Sequence, residues 1–283
     1  MTKGEKDVIN IKKLPLLFIP SLALLLVTHA HAENWSDTSV GVRWGNNFKE
    51  PNNPKTVNKT IWNLTHLSGD KWGRNVAVVD VLVSNSSDPA AGGEGGATEF
   101  YGFYRRNVSL SAVTGNSLEN KLIKDINLTG RIDLGTKNSD LAPRPRKLRV
   151  GISADLPVKK GYAEIGVDAY KENQHNGITN KNFSFDTTYA LWLNAGMPVG
   201  ERGNLSGFVD FIGAQGKDGF GQETKPSTLV RVQYMHNLGK DKDGFKVGVG
   251  YEYFRNKYSN DNQKDSFKGS THSTPLLLAE YHF

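Results

Sequence analysis

The chain has 283 residues, with 35 Lys and Arg against 29 Asp and Glu, no cysteine and 37% hydrophobic residues, and its mean hydropathy is −0.49. These figures exclude a helical membrane protein, because each spanning helix needs about 20 consecutive apolar residues and one stretch alone approaches that. The lack of cysteine excludes a disulfide-stapled scaffold and a thiolate metal site, and mixed charge with 10% aromatics excludes a disordered chain.

The apolar stretch comes first. Lys3, Lys6, Lys12 and Lys13 precede the run 14–27, and Ala30-His31-Ala32 follows with the small-x-small pattern. Residues 1–32 therefore read as a secretory signal peptide cleaved after Ala32, which makes 33–283 the mature domain. The run carries Pro15 and Pro20 and is too short for a signal anchor. Its removal takes four lysines but only Glu5 and Asp7, so the positive excess shrinks.

Beyond the leader the hydrophobic period is 2 rather than 3.6. Leu122, Ile126, Leu128, Ile132 and Leu134 alternate with Asp125, Asn127, Thr129, Arg131 and Asp133. The same holds for Leu148, Val150, Ile152 and Ala154 against Lys147, Arg149, Ser153 and Asp155, and for Phe245, Val247, Val249 and Tyr251 against Lys246, Gly248, Gly250 and Glu252. Such alternation predicts an all-β chain with one apolar and one polar face per strand. Twelve segments follow, at 38–48, 57–67, 73–84, 98–110, 121–135, 146–156, 161–171, 183–196, 204–214, 227–237, 244–256 and 273–283. They exceed the usual ~5 to 6 residues of soluble strands and match the ~9 to 11 that cross a bilayer at a tilt.

The connections alternate in length. Short ones lie at 68–71, 157–160, 197–203 and 238–243, and longer polar ones at 49–56, 85–97, 172–182, 214–226 and 257–272. The stretch 111–120 is a long connection on the short side. This pattern predicts a transmembrane antiparallel β-barrel of the bacterial outer membrane, with short periplasmic turns and long extracellular loops. The last segment places Leu277, Ala279, Tyr281 and Phe283 on one face, as outer-membrane barrels do in a closing strand read by the barrel assembly machinery through a terminal Phe. An ordinary soluble edge strand ending in Phe is the competing reading.

Several pieces, in order, resemble the nucleoside-specific channel-forming outer-membrane proteins, the Tsx family, with its related phage-receptor porins. They are Trp35-Ser36-Asp37-Thr38-Ser39-Val40 with Arg43-Trp44-Gly45 and Asn47-Phe48; Val79-Asp80-Val81-Leu82 with Ser87-Asp88-Pro89; Glu99-Phe100-Tyr101 with Tyr104-Arg105; Gly216-Lys217-Asp218-Gly219-Phe220-Gly221; and Thr274-Pro275 with Ala279-Glu280-Tyr281-His282-Phe283. Looser pieces lie at 170–176 and 186–192. The resemblance implies a twelve-stranded monomeric barrel whose narrow polar lumen passes nucleosides.

A barrel of about twelve strands lies between filled eight-stranded barrels and open porins, and leaves a narrow passage. The inward phase offers Arg43, Asp80, Asp125, Arg131, Asp133, Arg149, Asp155, Glu164, Asp168, Asp210, Arg231 and Glu252. These mix both signs, unlike the single-sign lining of a strongly ion-selective pore. Inward Tyr170, Trp192, Phe208 and Phe254 offer stacking for a planar base, and Asp80, Asp186, Asn63 and Asn194 offer hydrogen bonds to sugar hydroxyls. The candidate lining residues are Arg43, Asp80, Tyr101, Arg105, Arg149, Asp168, Asp186, Trp192, Phe208, Arg231 and Glu252. The plainer reading is that facing acids and bases pair with one another and touch no solute.

Other features carry less. Arg144, Arg146, Lys147 and Arg149, interrupted by Pro143 and Pro145, form a basic cluster expected on an outer loop, against lipopolysaccharide phosphates or simply solvated. Asp241-Lys242-Asp243-Gly244 lacks the later ligands of a calcium loop and reads as a turn. No Ser lies in a G-x-S-x-G setting. The expectation is a passive channel for nucleosides or similar small polar solutes, not an enzyme, with no cofactor, metal or nucleic-acid partner. A general small-solute porin or a surface receptor for phage or bacteriocins is the alternative.

Overall fold

Period-2 alternation along nearly the whole chain gives strands that have one face to bury and one to solvate, and a sheet of them has no free edge only if it closes. The computed structural model describes residues 35–239, 244–263 and 269–283. The segment read as a leader, 1–32, and positions 241–243 of the stretch read as a turn lie outside them. The strands are β1 (Trp35–Phe48), β2 (Val57–Asp70), β3 (Gly73–Ser84), β4 (Thr98–Ser109), β5 (Asp125–Lys137), β6 (Arg146–Asp155), β7 (Tyr162–Asn176), β8 (Lys181–Ser184), β9 (Thr188–Val199), β10 (Gly203–Ile212), β11 (Ser227–Asn237), β12 (Gly244–Arg255) and β13 (His272–His282).

Every neighbouring pair is antiparallel. β1 pairs with β13, Val40 opposite Tyr281 and Arg43 opposite Leu278, and β6 pairs with β7, Arg149 opposite Tyr170. Those two pairings close the sheet. β8 is a four-residue return against the end of β7, so the wall itself is a closed barrel of twelve strands.

Outward residues form the apolar band that a bilayer requires. Leu128, Leu148, Val150, Ile152, Val249 and Leu277 are half or more exposed. Aromatics sit outward near both strand ends: Trp72, Phe245, Tyr281 and Phe283 at the short-turn end, and Trp44, Tyr189 and Tyr251 at the long-loop end. This is the arrangement of an outer-membrane barrel, with the short turns periplasmic. The tightest turn joins β2 to β3, where Asp70 Oδ1 accepts from Trp72 N at 2.7 Å. Gly73 has φ +149, and a Cβ there would meet the Asn107 carbonyl.

Three boundaries differ from expectation by four residues or more, one being the end of β7, at Asn176 rather than 171, where residues 173–176 pair with β8. β5 begins at Asp125 rather than 121, because Asn120 Oδ1 accepts from the amides of Leu122 and Ile123 and turns the chain there. The connection before it holds a short helix, α1 (Leu110–Thr114), N-capped by Ser109 and ended by Gly115. β9 begins at Thr188 rather than 183, because Asn176 Oδ1 caps a turn at Ile178 and Thr179 and sends residues 181–184 back against β7.

Candidate channel lining

Inward residues split into an apolar side and a charged side. Phe48, Val57, Ile61, Met235, Leu276 and Leu278 pack together inside the wall, with Leu82 against them. They narrow the lumen from the β1, β2 and β13 side. Elsewhere the inward phase mixes charged, amide and aromatic side chains, and every expected lining residue on a strand lies on it.

Asp80 on β3 accepts from Arg43 Nη2 at 2.5 Å and from Asn63 Nδ2 at 2.6 Å, so three successive strands share one carboxylate. Arg231 and Glu252 are cross-strand partners, joined at 2.6 Å, with His272 Nε2 at 3.1 Å from the other carboxylate oxygen. Arg149 on β6 grips Asp210 on β10 through both Nη atoms, at 2.7 and 2.8 Å. Those strands are not neighbours, so this fork crosses a chord of the lumen. Tyr101 donates to Asp133 Oδ2 at 2.6 Å, and Arg131 Nε donates to Asp133 Oδ1 at 2.7 Å.

The inward aromatics are capped by cations. Arg131 lies 3.9 Å over Phe103, Arg149 5.0 Å over Tyr170, Arg231 5.4 Å over Phe208 and Lys147 5.5 Å over Tyr101. Arg105 lies 3.3 Å over the centre of the Trp192 indole. The indole rests on Gly166, where any Cβ would collide with the ring, and its Nε1 donates to Asp168 Oδ2 at 2.8 Å. Both faces of Trp192 are therefore covered, and Tyr170 is fully buried. Neither offers the open ring that stacking on a base requires, whereas Tyr101, Phe103 and Phe208 keep partly exposed surface.

Two further expectations are corrected. Asp186 is exposed on the outer loop ahead of β9, off the barrel wall, because the strand starts two residues later. The basic cluster is divided by strand alternation: Arg144 and Arg146 are exposed at the outer rim, whereas Lys147 and Arg149 point inward from β6. Asn194 and Phe254 lie on the inward phase as expected.

A charge cluster at the outer end goes beyond the expected set. Glu50, on the loop after β1, accepts from Lys59 at 2.6 Å and Lys257 at 2.8 Å, with Lys137 at 3.4 Å. Lys137 also meets Asp88 at 2.9 Å, and Tyr258 donates to Glu99 at 3.3 Å. The three loops holding Glu50, Asp88 and Lys257 are thus tied to β2, β4 and β5. Burial pushes the Glu50 carboxyl up, but Lys257, Lys59 and Lys137 together overcome it and hold the group well below the usual carboxylate range. Lys59 was legible, since it shares the inward phase with Val57, Ile61 and Asn63; its loop partners carry no periodic signal.

No protein-family model matches the chain, and no curated protein matches it in sequence. Solved structures with a similar trace include the NanC porin (9% identity, TM-score 0.48, 86% of this chain and 98% of that one). The translocator domain of the autotransporter NalP from Neisseria meningitidis (10%, 0.45, 93% of each chain) and the KdgM porin (10%, 0.43, 87% of this chain and 99% of that one) are others.

Proposed function

We propose that the chain is an outer-membrane channel through which small polar solutes diffuse passively, nucleosides foremost. The observation that carries the channel reading is the lining: a closed bilayer-spanning barrel whose interior holds paired charges and cation-capped rings instead of a continuous apolar core. A protein that only needed to be stable would fill that space with hydrocarbon, since replacing buried ion pairs with well-packed apolar residues is often neutral or stabilising. Paired groups with partly exposed edges offer weak, repeated contacts, which suit passage because a solute must also leave.

The nucleoside reading rests on the resemblance of the Trp35, Val79, Glu99, Gly216 and Thr274 pieces. It is helped by the Arg131–Phe103 and Arg231–Phe208 pairs, since guanidinium planes and aromatic rings both stack on bases. Exposure of Arg144 and Arg146 at the outer rim supports contact with lipopolysaccharide phosphates.

The test is swelling of liposomes carrying the purified chain, with adenosine, thymidine and sugars of matched size. Faster swelling with the nucleosides is expected. Equal rates for all solutes would remove the nucleoside preference and leave a general porin, and no swelling at all would remove the channel.

A further inference from the structure

The interior arginines are not equivalent. Arg105, Arg131 and Arg149 are successive direct cross-strand partners on β4, β5 and β6, which sets three like charges in a row where opposition costs stability. Arg131 is answered by Asp133 and Arg149 by Asp210. Arg105 is 92% buried, being 8% exposed, has no carboxylate within ion-pair distance among the described residues, and its Nη2 has no hydrogen-bond partner.

The nearby acids answer other groups, and neither lies within ion-pair distance of Arg105. Asp168 accepts from Trp192 Nε1 at 2.8 Å and from Thr129 Oγ1 at 2.7 Å. Glu164 accepts from Asn107 Nδ2 at 2.5 Å and Ser153 Oγ at 2.6 Å, with Arg74 at 3.4 Å. Asp168 thus positions the indole on which Arg105 lies and leaves the guanidinium edge unanswered. Arg149 Nε, in the same row, also lacks an acceptor.

From this we infer that Arg105, seated on Trp192, is a binding site in the lumen for a small anion, with a carboxylate or phosphate oxygen of a passing solute accepting from the guanidinium N–H groups. A buried donor without an acceptor is costly, and stacking on the indole satisfies the charge but not the N–H groups. An anion supplies what is missing, and it eases the row of like charges that Arg105 forms with Arg131 and Arg149. The inference deepens the channel reading and rests on it for transport, though not for binding.

Two measurements separate the parts. In planar bilayers under a KCl gradient, the wild-type chain should prefer Cl⁻ over K⁺. Arg105→Gln should abolish most of that preference, the loss of one charge-assisted contact, while Arg105→Lys keeps most of it and Lys121→Gln, exposed on the connection before β5, leaves it unchanged. Tryptophan fluorescence of the detergent-solubilised chain, titrated separately with phosphate and with acetate, should change saturably in wild type and not in Arg105→Gln. Response to phosphate alone, or to acetate alone, identifies the headgroup. Conductance with unaltered selectivity in Arg105→Gln, or a flat titration of wild type with both anions, overturns the anion site whatever the barrel conducts. A saturable titration without any conductance upholds the site and overturns the channel.

Discussion

An interior carboxylate shared by two donors is worth most when one considers removing it. Asp80 is held by Arg43 and Asn63, and the side chains of Arg43 and Asp80 are only 7% and 12% exposed. Asp80→Asn leaves Arg43 as an uncompensated buried charge, which costs about 3 to 5 kcal/mol, whereas removing both charges together costs much less. The expected result is earlier unfolding of Asp80→Asn, seen as heat-modifiable gel migration at a lower temperature, with recovery in Arg43→Gln/Asp80→Asn. Equal migration of wild type and Asp80→Asn would mean that Arg43 finds another partner. That Arg43, Asp80, Arg231 and Glu252 face inward was legible, because a side-chain period of 2 assigns the face of every strand residue. Which groups meet was not. The Arg149–Asp210 fork depends on which strands confront each other across the lumen, and the covering of Trp192 depends on the absence of a Cβ at Gly166, neither of which is a local property of the chain.

Among the elements, the outer loops are where stability and access are linked. Glu50 joins the first loop to Lys59 on the wall and to Lys257 on the last loop. Burial opposes its charge, yet three lysines depress its pKa well below the ordinary value. A carboxylate with a depressed folded pKa contributes stability that is fully present above its unfolded pKa of about 4.3 and is lost as pH falls through the folded value. Protection of 48–57 from hydrogen exchange, taken against the intrinsic amide rate at each pH, should therefore hold from neutral pH down to about pH 4 and fall only below it. Glu50→Gln should exchange fast across that whole range. Fast exchange in wild type at pH 5 would contradict the clamp. The strands themselves were legible to within a few residues, because alternation and turn residues act locally. The exceptions at 121–124 and 183–187 both follow an Asn side chain that accepts backbone amides, at Asn120 and Asn176, and the third, the run of β7 past 171 to Asn176, is held by the return strand β8. Each offers the backbone a turn where hydrophobic pattern alone continues a strand.

At the scale of the whole molecule, a mean hydropathy of −0.49 averages two surfaces interleaved residue by residue, one meeting lipid and the other lining the lumen. The outward band makes a demand that a soluble β-protein does not. Val150 lies at the middle of β6, opposite Gly130 and Ala169, with its side chain outward and 58% exposed. In water, an exposed Val→Lys change on a strand is nearly neutral, whereas at the bilayer midplane a lysine on the lipid face costs about 2 to 4 kcal/mol, falling to about 0 to 1 near the interfaces. Val150→Lys should therefore lower stability in guanidinium unfolding from lipid vesicles by that larger amount. Leu141→Lys, on the outer loop between β5 and β6, should lie within the smaller one. The contrast should collapse in detergent micelles soft enough to let the ammonium reach water. Equal costs for the two substitutions in vesicles would place the β6 wall outside the hydrocarbon, and with it the membrane-spanning reading of the barrel.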